Sequence, residues 1–124
     1  MHEASIAQSI LEIAINECLK AGASRIDRIK VEIGIMNTVS NASLLFAFNA
    51  SKINTIAEDA ELDIIEKPAG GFCRDCGQRF ITEQLLLLNC PICGGKDFII
   101  DQGRELNIIE LEVSGETEGS KKHT

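Results

Sequence analysis

A chain of 124 residues with 44% hydrophobic side chains, 4% aromatics and neither Trp nor Tyr points to one small globular domain, with room for an insert and a core built of Ile and Leu. Nineteen acids against twelve bases give a net charge of -7. That balance excludes a protein whose main business is gripping phosphate backbones, and suits cations or basic partners instead.

The chain opens Met1-His2-Glu3, and the only other histidine, His123, lies in a polar tail. Behind it, Ile6, Ile10, Ile13, Ala14 and Cys18 recur at helical spacing, widened by Leu11 and Leu19. The spacing predicts a helix over residues 4–21, stopped by Gly22. In "RIDRIKVEIGI" the period changes to two, and Ile29, Val31, Ile33 and Ile35 form one face of a half-buried strand. "MNTVSN" is a loop in which Ser40 or Asn41 can cap the next helix, "ASLLFAFNASK". Leu44, Leu45 and Phe48 are expected on its buried face, with Phe46 a further candidate.

"AELDIIEK" predicts a second strand with Leu62 and Ile64 inward, punctuated by Pro68, Gly70 and Gly71. A cysteine-rich segment runs from about Phe72 to Ile100, and "RELNIIELEV" follows as a third strand. Its apolar parity changes midway, which predicts a bulge at Ile108–Ile109. The final "SGETEGSKKHT" lacks apolar residues and is expected to be a disordered tail. The expected fold is therefore α+β: a small three-stranded sheet with two α-helices and an inserted four-cysteine zinc-ribbon module. In domains, residues 1–70 and 101–115 form a discontinuous α/β domain, 71–100 the ribbon, and 116–124 the tail.

No run of about 20 apolar residues can cross a bilayer. The first segment is broken by Gln8, Glu12, Asn16 and Glu17 and has no basic region before it, so it does not read as a secretory signal. The expected compartment is the cytoplasm, where thiols stay reduced and cysteines suggest metal ligands ahead of disulfides. "CRDCG" and "CPICGG" supply Cys73, Cys76, Cys90 and Cys93, with thirteen residues between the pairs. Gly77 and Gly94 follow each pair, where a tight knuckle favours positive φ. Four thiolates suit tetrahedral zinc and leave it no open position, so the ion is expected to hold the module together, not to catalyse. Iron for electron transfer is the chemical rival. Cys18 sits on the apolar stripe and reads as a core thiol.

At the N-terminus, a bulky second residue should leave Met1 in place. Its α-amine, the His2 amide and the His2 imidazole can then close two fused chelate rings around one metal, and nitrogen ligands in a plane suit Ni(II) or Cu(II). The Glu3 amide or carboxylate can complete the set. A disordered terminus, with Glu3 merely favouring the helix dipole, is the plain alternative.

Taken together, "MHEASIAQSILEIA", "IKVEIG", "SLLFAF", the C-x-x-CG…CPxCGG pairs and "GRELNIIELEV" resemble, in order over roughly residues 1–113, the HypA/HybF family of hydrogenase maturation factors. The resemblance implies a nickel metallochaperone with a structural zinc site. It would work with a HypB-type GTPase to deliver Ni(II) to the large subunit of [NiFe]-hydrogenase, and some members serve urease. It implies His2, beside Met1 and Glu3, for nickel, and Cys73, Cys76, Cys90 and Cys93 for zinc. Members occur as monomers and as homodimers. This chain departs from many relatives in having Ile35, not an acid, after Gly34, no carboxylate in "IMNTVS", and no histidine between residues 3 and 122. Beyond His2, backbone amides, Glu3 or solvent are the candidate ligands.

The rival class is a zinc-ribbon interaction module for protein or nucleic acid, which predicts a basic ribbon face. Arg74, Arg79 and Lys96 are matched by Asp75, Glu83 and Asp97, so no basic excess exists there. No Ser–His–Asp set, phosphate loop or paired catalytic carboxylates occurs, and an enzyme is not expected.

Overall fold

The computed structural model describes residues 3–116. Met1, His2 and the tail from residue 117 lie outside them. In chain order the elements are helix α1 (Glu3–Lys20), strand β1 (Arg25–Gly34), a single 3-10 turn (Ile35–Asn37), helix α2 (Asn41–Ser51), and strands β2 (Glu61–Lys67), β3 (Ala69–Cys73), β4 (Arg79–Thr82), β5 (Phe98–Gln102) and β6 (Leu106–Ser114). They form two three-stranded sheets, ordered β2-β1-β6 and β4-β3-β5. The described residues divide into one compact unit of 3–31, 39–64 and 108–116 and a second of Glu32–Thr38 and Ile65–Asn107. The α+β class with two helices and a cysteine module is as the sequence predicts. No described helix is long and apolar enough to cross a membrane.

In the first unit α1 packs against α2. Ile6, Ala7, Ile10, Leu11, Ala14 and Cys18 face inward from α1, and Leu44 and Phe48 from α2; Ile26, Ile29, Val31 and Leu62 of the strands are buried as well. The buried stripe of α1 differs from the expected one. Ala7 belongs to it, whereas Ile13 is 53% exposed and Leu19 is exposed too. Ile13 instead borders an open groove with Ala14, Glu17 and residues Ile108–Leu111 of β6. On α2 the same narrowing occurs. Leu44 and Phe48 stand one turn apart and fill the core, while Phe46, about 200° round the helix from Leu44, is 79% exposed and Leu45 is exposed as well.

Both helix ends are closed as the sequence asks. Gly22 has φ 78°; its amide donates to the Leu19 carbonyl and the Ala23 amide to the Cys18 carbonyl, a Schellman arrangement. Ser40 caps α2, its hydroxyl accepting from the Ser43 amide at 3.2 Å. Across the first sheet, Arg28 of β1 reaches Asp63 and Glu61 of β2 and Glu112 of β6, and Lys30 pairs with Glu110. These exposed pairs fix neighbours more than they stabilise.

Two boundaries differ from expectation. β1 starts at Arg25 and ends at Gly34, so Ile35 leaves the strand for the 3-10 turn. Gly70 and Gly71 do not end β2; they lie inside β3, the central strand of the second sheet, which is antiparallel to both neighbours. Gly71 pairs with Phe80 on one side and Ile100 on the other. A Cβ there would run into the carbonyl oxygen of Ile99, which is why a strand interior accepts a glycine. Along β6 the less exposed residues are Ile108, then Leu111 and Val113, a parity change in the stretch where the sequence expects one.

Candidate metal centre

The second unit gathers the four cysteines from two similar turns. Cys73 ends β3, and Cys76 follows in the turn toward β4; Cys90 and Cys93 lie in the turn that leads to β5. In the first knuckle the Gly77 amide donates to the Cys73 carbonyl at 2.9 Å, and in the second the Gly94 amide donates to the Cys90 carbonyl at 2.8 Å. Gly77 and Gly94 have φ of 71° and 77°, as the motif predicts. Intervening amides turn toward the sulfurs: Ile92 N–H donates to Cys90 Sγ at 3.4 Å and Gly95 N–H to Cys93 Sγ at 3.3 Å.

All four Sγ atoms lie within 4.8 Å of one another. Two separations cross between knuckles, Cys73–Cys93 at 3.6 Å and Cys76–Cys90 at 3.9 Å, and no cysteine is in a disulfide. A Zn–S bond of about 2.3 Å gives tetrahedron edges of about 3.8 Å, so these distances suit four thiolates around one such ion. Cys73 and Cys90 are buried with Phe80; Phe98, Leu87 and Ile100 pack around them. Phe80 and Phe98 meet edge to face, centroids 6.0 Å apart.

The thiols divide in proton affinity. Burial works against ionising Cys90, yet the Cys93 and Ile92 amides and the Cys73 and Cys93 side chains bring it down to about 7. The Gly95 amide favours the Cys93 thiolate, but burial and the crowding of Cys73, Cys76 and Cys90 push that thiol up to about 12. Four negative sulfurs this close need a cation among them.

The acids and bases of this unit engage one another. Arg74 donates to Asp97, Arg79 grips Asp101 with both terminal nitrogens at 2.8 and 3.0 Å, and Asp75 accepts the Asp97 amide. Seven carboxylates stand against five cationic side chains over the unit's residues. The residues of this unit carry no basic excess of the kind a nucleic-acid module draws on.

The remaining candidates lie apart from the sulfurs. Cys18 is fully buried on α1, its Sγ 3.7 Å from the Arg25 carbonyl, and burial pushes its thiol up. Glu3 opens α1, and its Oε2 accepts the backbone amide of Ser40 at 3.2 Å. The sequence shows a loop without a carboxylate; the acid arrives from the other side, out of α1. Met1 and His2 fall outside the described residues.

Residues 1–113 match the model of a family described as hydrogenase/urease nickel incorporation, metallochaperone, HypA. The hydrogenase maturation factor HypA of Rhodobacter capsulatus is 39% identical over 114 residues, covering 91% of this chain and 99% of that protein. The factor of the same name from Rhodopseudomonas palustris is 37% identical over 113 residues with the same coverage. The solution structure of the Ni metallochaperone HypA from Helicobacter pylori matches with a TM-score of 0.69 and 30% identity, over 94% of this chain and 100% of that one.

Proposed function

The chain belongs to the HypA family, non-catalytic nickel metallochaperones of hydrogenase maturation, and from that premise we propose where it holds its metals and to whom it passes its cargo. Ni(II) is carried by the N-terminus: the Met1 α-amine, the His2 amide and the His2 imidazole chelate it, with Glu3 beside them. The observation that carries this reading is that the family match begins at residue 1 and so includes Met1-His2-Glu3 itself. Nitrogen donors in a plane suit Ni(II). Glu3 opens α1, and a helix's first amides take their partners from outside the helix, which supports the reading that its amide joins such a chelate.

The four-cysteine site holds Zn(II). The sulfur separations and the all-thiolate donor set favour it, and a closed four-thiolate shell gives the ion a structural role. Cargo and structural metal then occupy sites of opposite character: few donors on one chain end for an ion that must leave, four thiolates, two of them buried, for one that must stay. The domain division of residues 1–70 with 101–115 and a ribbon of 71–100 follows that separation of tasks.

The maturation role implies maturation partners. A HypB-type GTPase is the expected one, the large subunit of [NiFe]-hydrogenase the recipient, and urease maturation proteins a further destination. The work takes place in the cytoplasm, by a monomer or a homodimer. Titration calorimetry with Ni(II) tests the terminal site on native protein, His2→Ala and a form extended before Met1. Both alterations are expected to abolish the nickel isotherm while zinc content stays at one per chain. Unchanged nickel affinity in both would sink the reading.

A further inference from the structure

The two knuckles are separate turns, and the residues between the first pair of cysteines reach across to the second. Arg74 continues the β3–β5 ladder one step past Cys73: its amide donates to the Asp97 carbonyl at 2.8 Å. Its guanidinium also donates to the Asp97 carboxylate at 3.0 Å. Asp75 takes the other side of the same residue, its Oδ2 accepting the Asp97 amide at 3.3 Å. Asp97 is thus held at its amide, its carbonyl and its carboxylate by the two residues that separate Cys73 from Cys76.

The Asp75 side chain also lies against Gly95. A Cβ at Gly95 would run into the Asp75 carboxylate, while the backbone there is not left-handed, so space and not conformation makes this residue a glycine. Gly95 belongs to the second knuckle. Its amide donates to Cys93 Sγ at 3.3 Å, and its carbonyl accepts the Cys90 amide at 2.8 Å. A side chain of the first knuckle therefore rests on the residue that bonds both cysteines of the second.

We infer that Asp75 is a positioning residue for the ribbon's metal: it clamps the second knuckle against the first, and so sets how tightly the four thiolates hold their ion. This rests on the zinc reading above. The exposed Arg74–Asp97 ion pair adds little by charge, and the hold comes from the bond to the Asp97 amide and the contact with Gly95. Donors arranged beforehand lose less freedom when the metal arrives, and partners that orient metal ligands are worth about tenfold or more in affinity. Asp75 itself stays off the metal, because four thiolates already close the shell.

The test is zinc transfer from the zinc-loaded full chain to a chromophoric chelator, with the d–d absorption of the Co(II)-substituted chain reporting the ligand set. Asp75→Ala is expected to hold zinc about tenfold more weakly than native protein, with the Co(II) bands unmoved. Asp75→Asn, whose side-chain oxygen still accepts the Asp97 amide, recovers most of that loss. Gly95→Ala weakens zinc binding as Asp75→Ala does, yet adds little in a chain that already carries Asp75→Ala, since the carboxylate it displaces is gone. If Gly95→Ala fails to fold, the Asp75 pair decides alone. Native retention in Asp75→Ala overturns the proposal, as do equal losses in Asp75→Ala and Asp75→Asn. A Gly95→Ala effect undiminished beside Asp75→Ala overturns it too, and so do Co(II) bands that move in Asp75→Ala, which mean that the carboxylate ligates. A native chain that takes up no zinc overturns the zinc reading itself, an outcome read before any variant is made.

Discussion

Three glycines of the ribbon carry different loads. At Gly77 and Gly94 an added Cβ would meet nothing within 4 Å, yet φ is 71° and 77°. Alanine there should cost about 1 kcal/mol each, through backbone conformation alone. At Gly71 the φ is ordinary and the obstacle is the Ile99 carbonyl, so Gly71→Ala must push neighbouring strands apart and should cost more than either knuckle change. Denaturation of the zinc-loaded variants ranks the three; equal losses would contradict the distinction. The cysteines add a proton prediction. With Cys93 pushed up to about 12 and Cys76 raised against the pull of the Gln78 amide, both thiols are protonated at neutral pH before metal arrives. Zinc uptake at pH 7 should therefore release about two protons or more, tighten as pH rises and fail as it falls. Calorimetry in buffers of different ionisation enthalpy counts those protons, and a count near zero would refute the assignment.

At the level of elements, α2 shows what a helical pattern can and cannot say. Its apolar residues are nearly continuous from Ala42 to Phe48, so periodicity alone does not choose a face. The fold chooses Leu44 and Phe48, which stand one turn apart and are fully buried, and leaves Phe46 outside. Phe48→Ala should therefore cost about 3–5 kcal/mol, as emptied core phenylalanine sites do. Phe46→Ala should shift stability by no more than about 0.5 kcal/mol. Urea unfolding separates the two, and comparable losses would place Phe46 in the core. The sequence named both as candidates; only the packing divides them.

Over the whole molecule, two units with different sources of stability lie on one chain. The first buries aliphatic residues of two helices and a sheet, whereas the second has a small core of Cys73, Phe80 and Cys90 with a few partners around it. A module that small leans on its metal. Strong chelation is expected to move the amide resonances of β3, β4 and β5 toward random-coil positions while those of α1 and α2 persist. Loss of the helical resonances along with the ribbon's would show that the first unit cannot stand without the metal.

Sequence alone determined the four-cysteine cluster and the order of α1, β1, α2, β2 and β6 around it. Cysteine pairs with a following glycine, a helix with its Gly22 stop and a Ser40 cap are local facts, each fixed by residues within a few positions of one another. The tertiary structure decided what depends on distant partners. It placed Gly70 and Gly71 inside a central strand because Phe80 and Ile99 press against them. It turned Ile13 and Phe46 outward because each helix has only one covered face. It brought the Glu3 carboxylate to Ser40, 37 residues away, where α2 lacks an acid of its own. No pattern within a short window encodes such meetings, since they arise only when folding brings separate segments into hydrogen-bond and van der Waals range.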